Sequence, residues 1–175
     1  MFESERLILR PILLEDTDKL YEYRSRVRDN EYQSFVPTSI EEVREFIQKC
    51  SQEFNVSDTW FQLVIIIKED NNLIGDIGVH FIGDEQVEFG ITLNKEFQNN
   101  GYAFEAISYL FNILFNQFNK HRITASVDPR NINSIKLLKK LQMRKEAHHI
   151  KSYFFKDEWV DDCIYAILKE EFILL

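Results

Sequence analysis

The first fifty positions change from strand-like alternation of apolar and polar residues to helical spacing. Residues 6–12 alternate between apolar and charged side chains, which is typical of a short strand. The acidic run at 15–18 favours the positive end of a helix. The apolar stripe of that helix continues through Leu20, Tyr23 and Val27. Ser39 and Glu42 have the spacing of a capping box, so a second helix is predicted after the first.

The middle of the chain predicts an antiparallel meander of strands over residues 60–93. Residues 60–68 are rich in β-branched and aromatic side chains, and residues 73–82 form a partner strand after an Asn-containing turn. A second turn at Gly83 and Asp84 precedes a further strand at 87–93.

Helical spacing returns after residue 100 and then alternates with strand patterns. Apolar residues predict a helix over 103–115, a strand over 122–127 and a helix over 133–141. Two closing strands follow around 144–155 and 159–168. Strands that alternate with helices imply a partly parallel sheet with right-handed crossovers. The whole chain, 1–175, is therefore predicted to be a single domain of mixed α/β (α+β-like) class, with helices on both faces of one sheet.

Composition narrows the possible partners. The formal charge of −8 disfavours nucleic acid as the main partner and weakly favours a cationic one. The start of the chain lacks a signal-peptide pattern, and the apolar run at 63–67 is too short to span a bilayer, so we predict a cytoplasmic protein without a membrane partner. Cys50 and Cys163 lie far apart and have no zinc spacing. We predict two core cysteines and no metal site.

The most informative segment joins a predicted strand to a predicted helix at residues 98–103, with the spacing Gln-x-x-Gly-x-Ala. Gly101 and Ala103 leave room for a ligand beside the open N–H groups of a helix N-terminus, where a phosphate binds well. The spacing matches neither the dinucleotide fingerprint nor a Walker loop, which disfavours nucleotide binding. The residues alone leave an alternative open: Gly101 is a loop glycine and Ala103 packs the helix onto the sheet.

This loop is similar to the acetyl-CoA loop of the GNAT superfamily of N-acetyltransferases, and other segments resemble the same superfamily in the same order. Residues 4–11 and 15–16 resemble the opening of the RimJ/RimL-like branch, and 73–78 and 88–91 resemble the third and fourth strands of the family. Further similar segments are the second cofactor motif, at 128–134 and 137–141, and the closing strand, at 159–171. The resemblance implies a GNAT fold with about seven strands in a mixed, mostly antiparallel sheet, whose fourth and fifth strands splay apart.

The resemblance also implies acetyl-CoA as cosubstrate. The backbone N–H groups that follow Gln98 would hold the pyrophosphate; they belong to Asn99, Asn100, Gly101, Tyr102, Ala103 and Phe104. The end of the fourth strand, Ile91, Thr92 and Leu93, would pair with the pantetheine arm. Asn131 would hydrogen-bond the arm, although a helix cap explains an Asn at this position equally well.

The resemblance indicates the catalytic groups less directly than the cofactor-binding residues. Many GNAT enzymes protonate the leaving thiolate with a tyrosine, but the matching position here is Leu138, which cannot donate a proton. The RimL-like branch implies Ser134 as the general acid, with a helix N-terminal hydroxyl as the alternative. Glu88 is the candidate base, although a surface carboxylate is an equal explanation. Tyr153 stands near the position of that branch's acid–base carboxylate.

The sequence also offers other candidates for the general base and for the acceptor pocket. His80, His148 and His149 are further candidate bases, because histidine is the residue type that most readily exchanges a proton near neutral pH. Such histidines are more often structural, and ordered water could carry the proton instead. The acceptor pocket is predicted to come from a helical region over 24–38, with walls of Tyr32 and Phe35 unless these rings belong to the core.

The resemblance predicts transfer of acetyl to a protein N-terminal α-amine or a small amine. The alternatives are a small-molecule acetyltransferase acting on a polyamine, an aminoglycoside or an amino acid, and a non-catalytic module that binds acetyl-CoA. We expect a monomer or a homodimer. An exposed strand edge near the closing strands could pair with a second copy of the chain and would favour the dimer.

Overall fold

The computed structural model describes residues 1–172, and the last three residues of the predicted domain lie outside the described part. Eight strands form one sheet. They are β1 (Phe2–Glu3), β2 (Leu7–Pro11), β3 (Trp60–Ile67), β4 (Leu73–Ile82), β5 (Gln86–Leu93), β6 (Arg122–Val127), β7 (Arg144–Phe155) and β8 (Glu158–Leu168). The helices are α1 (Thr17–Arg24), α2 (Ile40–Lys49), α3 (Tyr102–Asn116) and α4 (Ile132–Lys140).

The strand order is β1-β2-β3-β4-β5-β6-β8-β7, and within residues 1–172 the parallel pair is β5–β6. The predicted meander corresponds to β3, β4 and β5, and the two closing strands correspond to β7 and β8. The sheet has one strand more than the predicted seven, because Phe2 and Glu3 pair with Leu9 and Ile8. Two residues are too few to produce a readable alternation in the sequence.

Helices cover both faces of the sheet, as predicted. The larger core joins the sheet to α3 and α4 through side chains such as Phe111 and Leu138. A smaller core joins the opposite face to α1 and α2 through residues such as Leu20 and Val43. No helix within residues 1–172 is long and apolar enough to cross a membrane.

The prediction of a helical region over 24–38 is wrong, since α1 ends at Arg24 and irregular turns follow. The Ser25 hydroxyl donates to the Tyr21 carbonyl at 2.6 Å. The Asn30 amide donates to the Tyr23 and Arg26 carbonyls at 2.7 and 3.0 Å. The Tyr21 and Arg26 carbonyls also accept from the backbone N–H four residues later. The Tyr23 carbonyl accepts from the Asn30 side chain in place of the N–H group that a longer helix would supply. Val27, predicted in the apolar stripe, is consequently 66% exposed.

A fully buried carboxylate fixes α1 to the sheet. Asp76 on β4 accepts hydrogen bonds from Tyr23, Arg24 and Gln62, and it has no exposed surface. Burial and the charge of Asp76 raise the pKa of Tyr23 well above its usual value. Thr92 is the register partner of Asp76 on β5, so this network lies beside the strand that carries the candidate site.

The splay expected from the family resemblance lies between β5 and β6. The two strands pair over three residues, with Gln86, Val87 and Glu88 opposite residues 122–124. Beyond Glu88 this pairing stops, and the edge of β5 that leads to Leu93 is left for other partners.

Candidate active site

Two cavities meet at the splay between β5 and β6. The loop-side cavity has a volume of about 470 Å³ and lies between the 98–104 segment, the end of β5 and α4. The hairpin-side cavity has a volume of about 390 Å³ and lies between Trp60, Glu88 and the β7–β8 hairpin. Six residues line both cavities: Tyr32, Gln33, Ile91, Asn131, Ser134 and Leu137.

The 98–103 loop has a backbone suited to binding an anion. Asn99 and Gly101 both adopt left-handed conformations, with φ of 64° and 81°. Left-handed residues that alternate with other conformations direct backbone N–H groups toward one concave side. The Asn100 side chain donates to the carbonyls of Phe97 and Gln98 at 3.3 and 3.1 Å, so these two acceptors bond within the loop.

The N-terminus of α3 adds further donors to this loop. The helix begins at Tyr102, and its first return hydrogen bond runs from the Glu105 N–H to the Gly101 carbonyl at 3.0 Å. The N–H groups before Glu105 have no intrahelical acceptor, because they lie in the first turn. Tyr102, Ala103 and Phe104 carry these groups, and all three line the loop-side cavity.

The structure brings ten of the eleven predicted cofactor-binding residues to the loop-side cavity. Asn100 is the exception, because its side chain bonds the Phe97 and Gln98 carbonyls within the loop. The Gln98 side chain lines the cavity and also donates to the Leu93 carbonyl at 3.0 Å, which links the end of β5 to the loop.

The open edge of β5 is marked by Gln33, which sequence reasoning missed. The Gln33 amide donates to the Ile91 carbonyl at 3.4 Å and accepts from the Thr92 hydroxyl at 2.9 Å. Since the N–H and C=O of a residue in an antiparallel strand point to the same side, the Ile91 N–H also faces the splay. No local pattern distinguishes Gln33, because its position depends on the irregular turns after α1.

The N-terminus of α4 lies at the junction of the two cavities. Asn131 caps this helix, because its Oδ1 accepts from the Ser134 N–H at 3.1 Å. The Ser134 hydroxyl makes no hydrogen bond to any group within residues 1–172. Leu138 lies one turn further along α4 and is 4% exposed. On α4, the free hydroxyl at this junction is therefore that of Ser134; the hydroxyl-bearing Tyr32 also lines both cavities, from the turns after α1.

The hairpin-side cavity is acidic. Its ionisable lining carries four carboxylates, from Glu88, Asp128, Asp161 and Asp162, and no Lys, Arg or His among the described residues. Asp162 accepts a hydrogen bond from the Ser126 hydroxyl at 2.6 Å. Within residues 1–172, no three His, Cys, Asp or Glu side chains are arranged to hold a metal ion.

Neighbouring donors keep two of these carboxylates ionised. Burial alone would raise the pKa of Asp128, but hydrogen bonds from Arg130 outweigh it and lower that pKa. Hydrogen bonds from the Lys151 backbone and from His148 lower the pKa of Asp161. The Nε2 of His148, on β7, lies 2.8 Å from the Oδ2 of Asp161, on β8.

Of the remaining predicted side chains, two lie in the hairpin-side cavity and one lies in the smaller core. Tyr153 is half exposed in the hairpin-side cavity, where its ring stacks on Phe155 at 5.8 Å between centroids. Glu88 lies in the same cavity, 3.9 Å from the Nδ1 of His80. The expectation that Phe35 forms an acceptor wall is wrong: its ring stacks on Phe46 at 4.4 Å in the smaller core. The rings share an apolar face there, away from both cavities.

Comparison with known proteins agrees with this geometry. Residues 6–144 match the model of the acetyltransferase (GNAT) domain. The chain is 33% identical over 172 residues to YnaD of Bacillus subtilis (strain 168), named an uncharacterized N-acetyltransferase, with 96% of each chain covered. A crystal structure of a GNAT-family acetyltransferase from Bacillus anthracis superposes with a TM-score of 0.87 at 30% identity, covering 97% of this chain and 99% of that one.

Two more distant structures have the same fold and contain CoA. Spermidine N-acetyltransferase from Vibrio cholerae, in complex with CoA and spermine, has a TM-score of 0.82 at 21% identity, with 95% and 97% of the chains covered. RimL, a ribosomal L7/L12 α-N-protein acetyltransferase in complex with CoA, has a TM-score of 0.84 at 17% identity, with 94% and 95% covered. The family match and the close relatives together establish that the chain belongs to the GNAT acetyltransferase family.

Proposed function

We propose that this protein transfers acetyl from acetyl-CoA to a primary amine by direct attack in a ternary complex, and that it belongs to the RimJ/RimL-like branch of its family. One observation carries the proposal. An anion-binding cavity and an acidic cavity meet at an open strand edge, and Ser134 lines both.

The loop-side cavity suits the CoA portion of the substrate. The open N–H groups of residues 99–104 would hold the pyrophosphate, because they are donors at a helix N-terminus and in a nest of left-handed residues. The edge of β5 at residues 91–93 would pair with the amides of the pantetheine arm. The Asn131 Oδ1 is used by the helix cap, which leaves its Nδ2 as a donor for the arm.

The chemistry requires a neutral amine, a stabilised oxyanion and a proton for the leaving thiolate. The amine nitrogen attacks the thioester carbon, and its proton passes to Glu88 directly or through water. The Ile91 N–H faces the splay and is positioned for the oxyanion. When the C–S bond breaks, the Ser134 hydroxyl protonates the sulfur and recovers a proton from solvent. Tyr153 lies on the acceptor side as a second hydroxyl.

The charge of the hairpin-side cavity supports a cationic acceptor. Carboxylates line the cavity and aromatic rings from Tyr32, Trp60 and Tyr153 form apolar walls, which favours an amine that carries further positive charge. The acceptor we propose is a protein N-terminal α-amine followed by basic residues, or a small amine. A small-molecule acetyltransferase acting on a polyamine, an aminoglycoside or an amino acid is the alternative, and the first two of these also carry several positive charges. A non-catalytic acetyl-CoA-binding module is the alternative function.

Free-thiol release from acetyl-CoA tests the proposal against a panel of peptides, polyamines, aminoglycosides and amino acids. We expect turnover with at least one cationic amine and none once all of its primary amines are acetylated. Binding of acetyl-CoA without turnover of any amine would favour the binding module instead.

Substitution of the proposed acid refines the test. Ser134→Ala should lower kcat by about 100-fold, a typical contribution of general acid catalysis, with acetyl-CoA binding retained. Ser57→Ala, at an exposed serine outside both cavities, is the matched control and should leave kcat unchanged. Full activity of Ser134→Ala would assign the proton to water.

A further inference from the structure

Two segments that lie a hundred residues apart meet behind the anion-binding loop. Glu105, in the first turn of α3, accepts from the Ser4 hydroxyl and from the Arg6 backbone N–H, each at 2.7 Å. Its second oxygen accepts from the Arg6 Nε at 2.6 Å. Burial alone would raise the pKa of Glu105, but these hydrogen bonds outweigh it and lower that pKa. The turn between β1 and β2 is therefore fastened to the start of α3.

The Arg6 guanidinium extends from this contact to the loop itself. Its Nη1 donates to the Asn100 carbonyl at 3.2 Å, and its central carbon lies 4.5 Å from the centroid of the Tyr102 ring. Neither Arg6 nor Asn100 is among the described residues that line the loop-side cavity. Arg6 thus contacts the loop without itself lining the cavity.

This contact fixes the direction of one peptide unit. The Asn100 carbonyl and the Gly101 N–H belong to the same planar trans peptide, so they point in opposite directions. Because Arg6 holds the carbonyl, the direction of the Gly101 N–H is fixed as well. Left-handed backbone at Asn99 and Gly101 surrounds this unit, and such backbone needs support from its neighbours to persist.

We propose that Arg6 is a positioning residue for the phosphate-binding loop, and that it acts through the Asn100–Gly101 peptide and not by touching the substrate. The inference rests on the proposed function of the same site. Arg6 would set the affinity for the phosphate-bearing end of acetyl-CoA and leave the acyl-transfer step unchanged.

Two acetyl donors separate this role from a general loss of structure. S-acetyl-pantetheine carries the thioester and the arm without phosphates, so its turnover does not depend on the loop. Arg6→Ala should raise KM for acetyl-CoA about tenfold, as expected for loss of a charged hydrogen bond, with kcat unchanged. Its kcat/KM with S-acetyl-pantetheine should equal that of the wild type. Arg6→Lys keeps the charge without the forked donors and should give an intermediate KM.

Further variants provide the control and guard against misfolding. Lys68→Ala removes the nearby ion pair of Lys68 with Glu3 at 3.1 Å, and it should leave both donors unaffected. Glu105→Gln releases the Arg6 Nε while keeping Arg6 itself, so it should raise KM for acetyl-CoA in the same direction even if Arg6→Ala fails to fold.

Two results would overturn the inference while the proposed function stands. Folded Arg6 and Glu105 variants could use acetyl-CoA as well as the wild type, or they could lose turnover equally with both donors. If the proposed function itself is wrong, the result is different: the wild-type protein would then release no thiol with any amine.

Discussion

Gly101 and Gly83 both have left-handed backbone, but only Gly101 lies at the proposed CoA site. Substitutions at these two positions therefore distinguish the cost of backbone strain from an effect on ligand binding. Gly101 has φ of 81° in the anion-binding loop, and Gly83 has φ of 54° in the turn before β5. A Cβ at 101 would meet only the Arg6 Nη2, at 3.4 Å, and a Cβ at 83 would meet nothing within 4 Å. Alanine is therefore not excluded by contact at either position, and the cost comes from the backbone.

The two alanine variants should lose similar stability. Left-handed backbone costs a residue with a Cβ roughly 1–2 kcal/mol. For a chain of 175 residues, each kcal/mol lowers Tm by roughly 2–4 °C. Gly101→Ala and Gly83→Ala should each lower Tm by about 2–8 °C, measured by thermal unfolding without ligand.

Substitutions at the two positions should differ in their effect on CoA binding. Gly101→Glu adds bulk and a negative charge where the pyrophosphate is proposed to bind, and one like-charge pair at about 5 Å costs roughly 3 kcal/mol at an effective dielectric constant of 20. That cost corresponds to a loss of affinity of more than about 100-fold, so the CoA-induced shift in Tm should disappear. Gly83→Ala should keep the full shift. An unchanged shift in folded Gly101→Glu would refute the placement of the pyrophosphate.

Three further predictions concern buried and titratable groups. Asp76→Asn leaves Arg24 buried without its counter-charge, so it should cost about 3–5 kcal/mol in urea unfolding, and Arg24→Met in the same chain should recover much of it. The pKa of Glu105 is lowered on folding, so it contributes stability above about pH 4.5 that is lost as the pH falls through the folded pKa. Glu105→Gln should make the urea midpoint depend less on pH below about pH 4.5, and an unchanged pH dependence would contradict this. Burial raises the pKa of Cys50 to about 11, so iodoacetamide at about pH 8 should label it slowly in the native protein and rapidly in urea, as followed by mass spectrometry.

Strands β2 to β8 were predictable, because apolar and polar residues alternate along them or β-branched residues are frequent in them. For example, β6 begins and ends at the predicted residues 122 and 127. The end of α1 was not predictable, because the Asn30 side chain, six residues beyond the helix, bonds the Tyr23 carbonyl in place of a further helical N–H group. An apolar stripe that continues to Val27 gives no indication of such bonds. Propensity and pattern describe local preference, and here a tertiary arrangement overrides them.

The candidate site was predictable where it follows from one continuous segment. The 98–103 loop and Ser134 could be located by resemblance, since their neighbours in sequence are also their neighbours in space. Gln33 and the contact of Arg6 with Glu105 could not, because they join segments separated by 58 and 99 positions. Sequence spacing contains no information about such pairs until the sheet order is known.

The sheet is continuous across its middle through only three residue pairs, between β5 and β6. The strands on one side come from residues before 94, and those on the other side come from residues after 121. Few backbone hydrogen bonds therefore resist widening of this seam, whereas each half has long antiparallel ladders of its own. A pantetheine arm lying against β5 would supply the rungs that β6 does not, so the substrate would complete the sheet and its release would restore the gap.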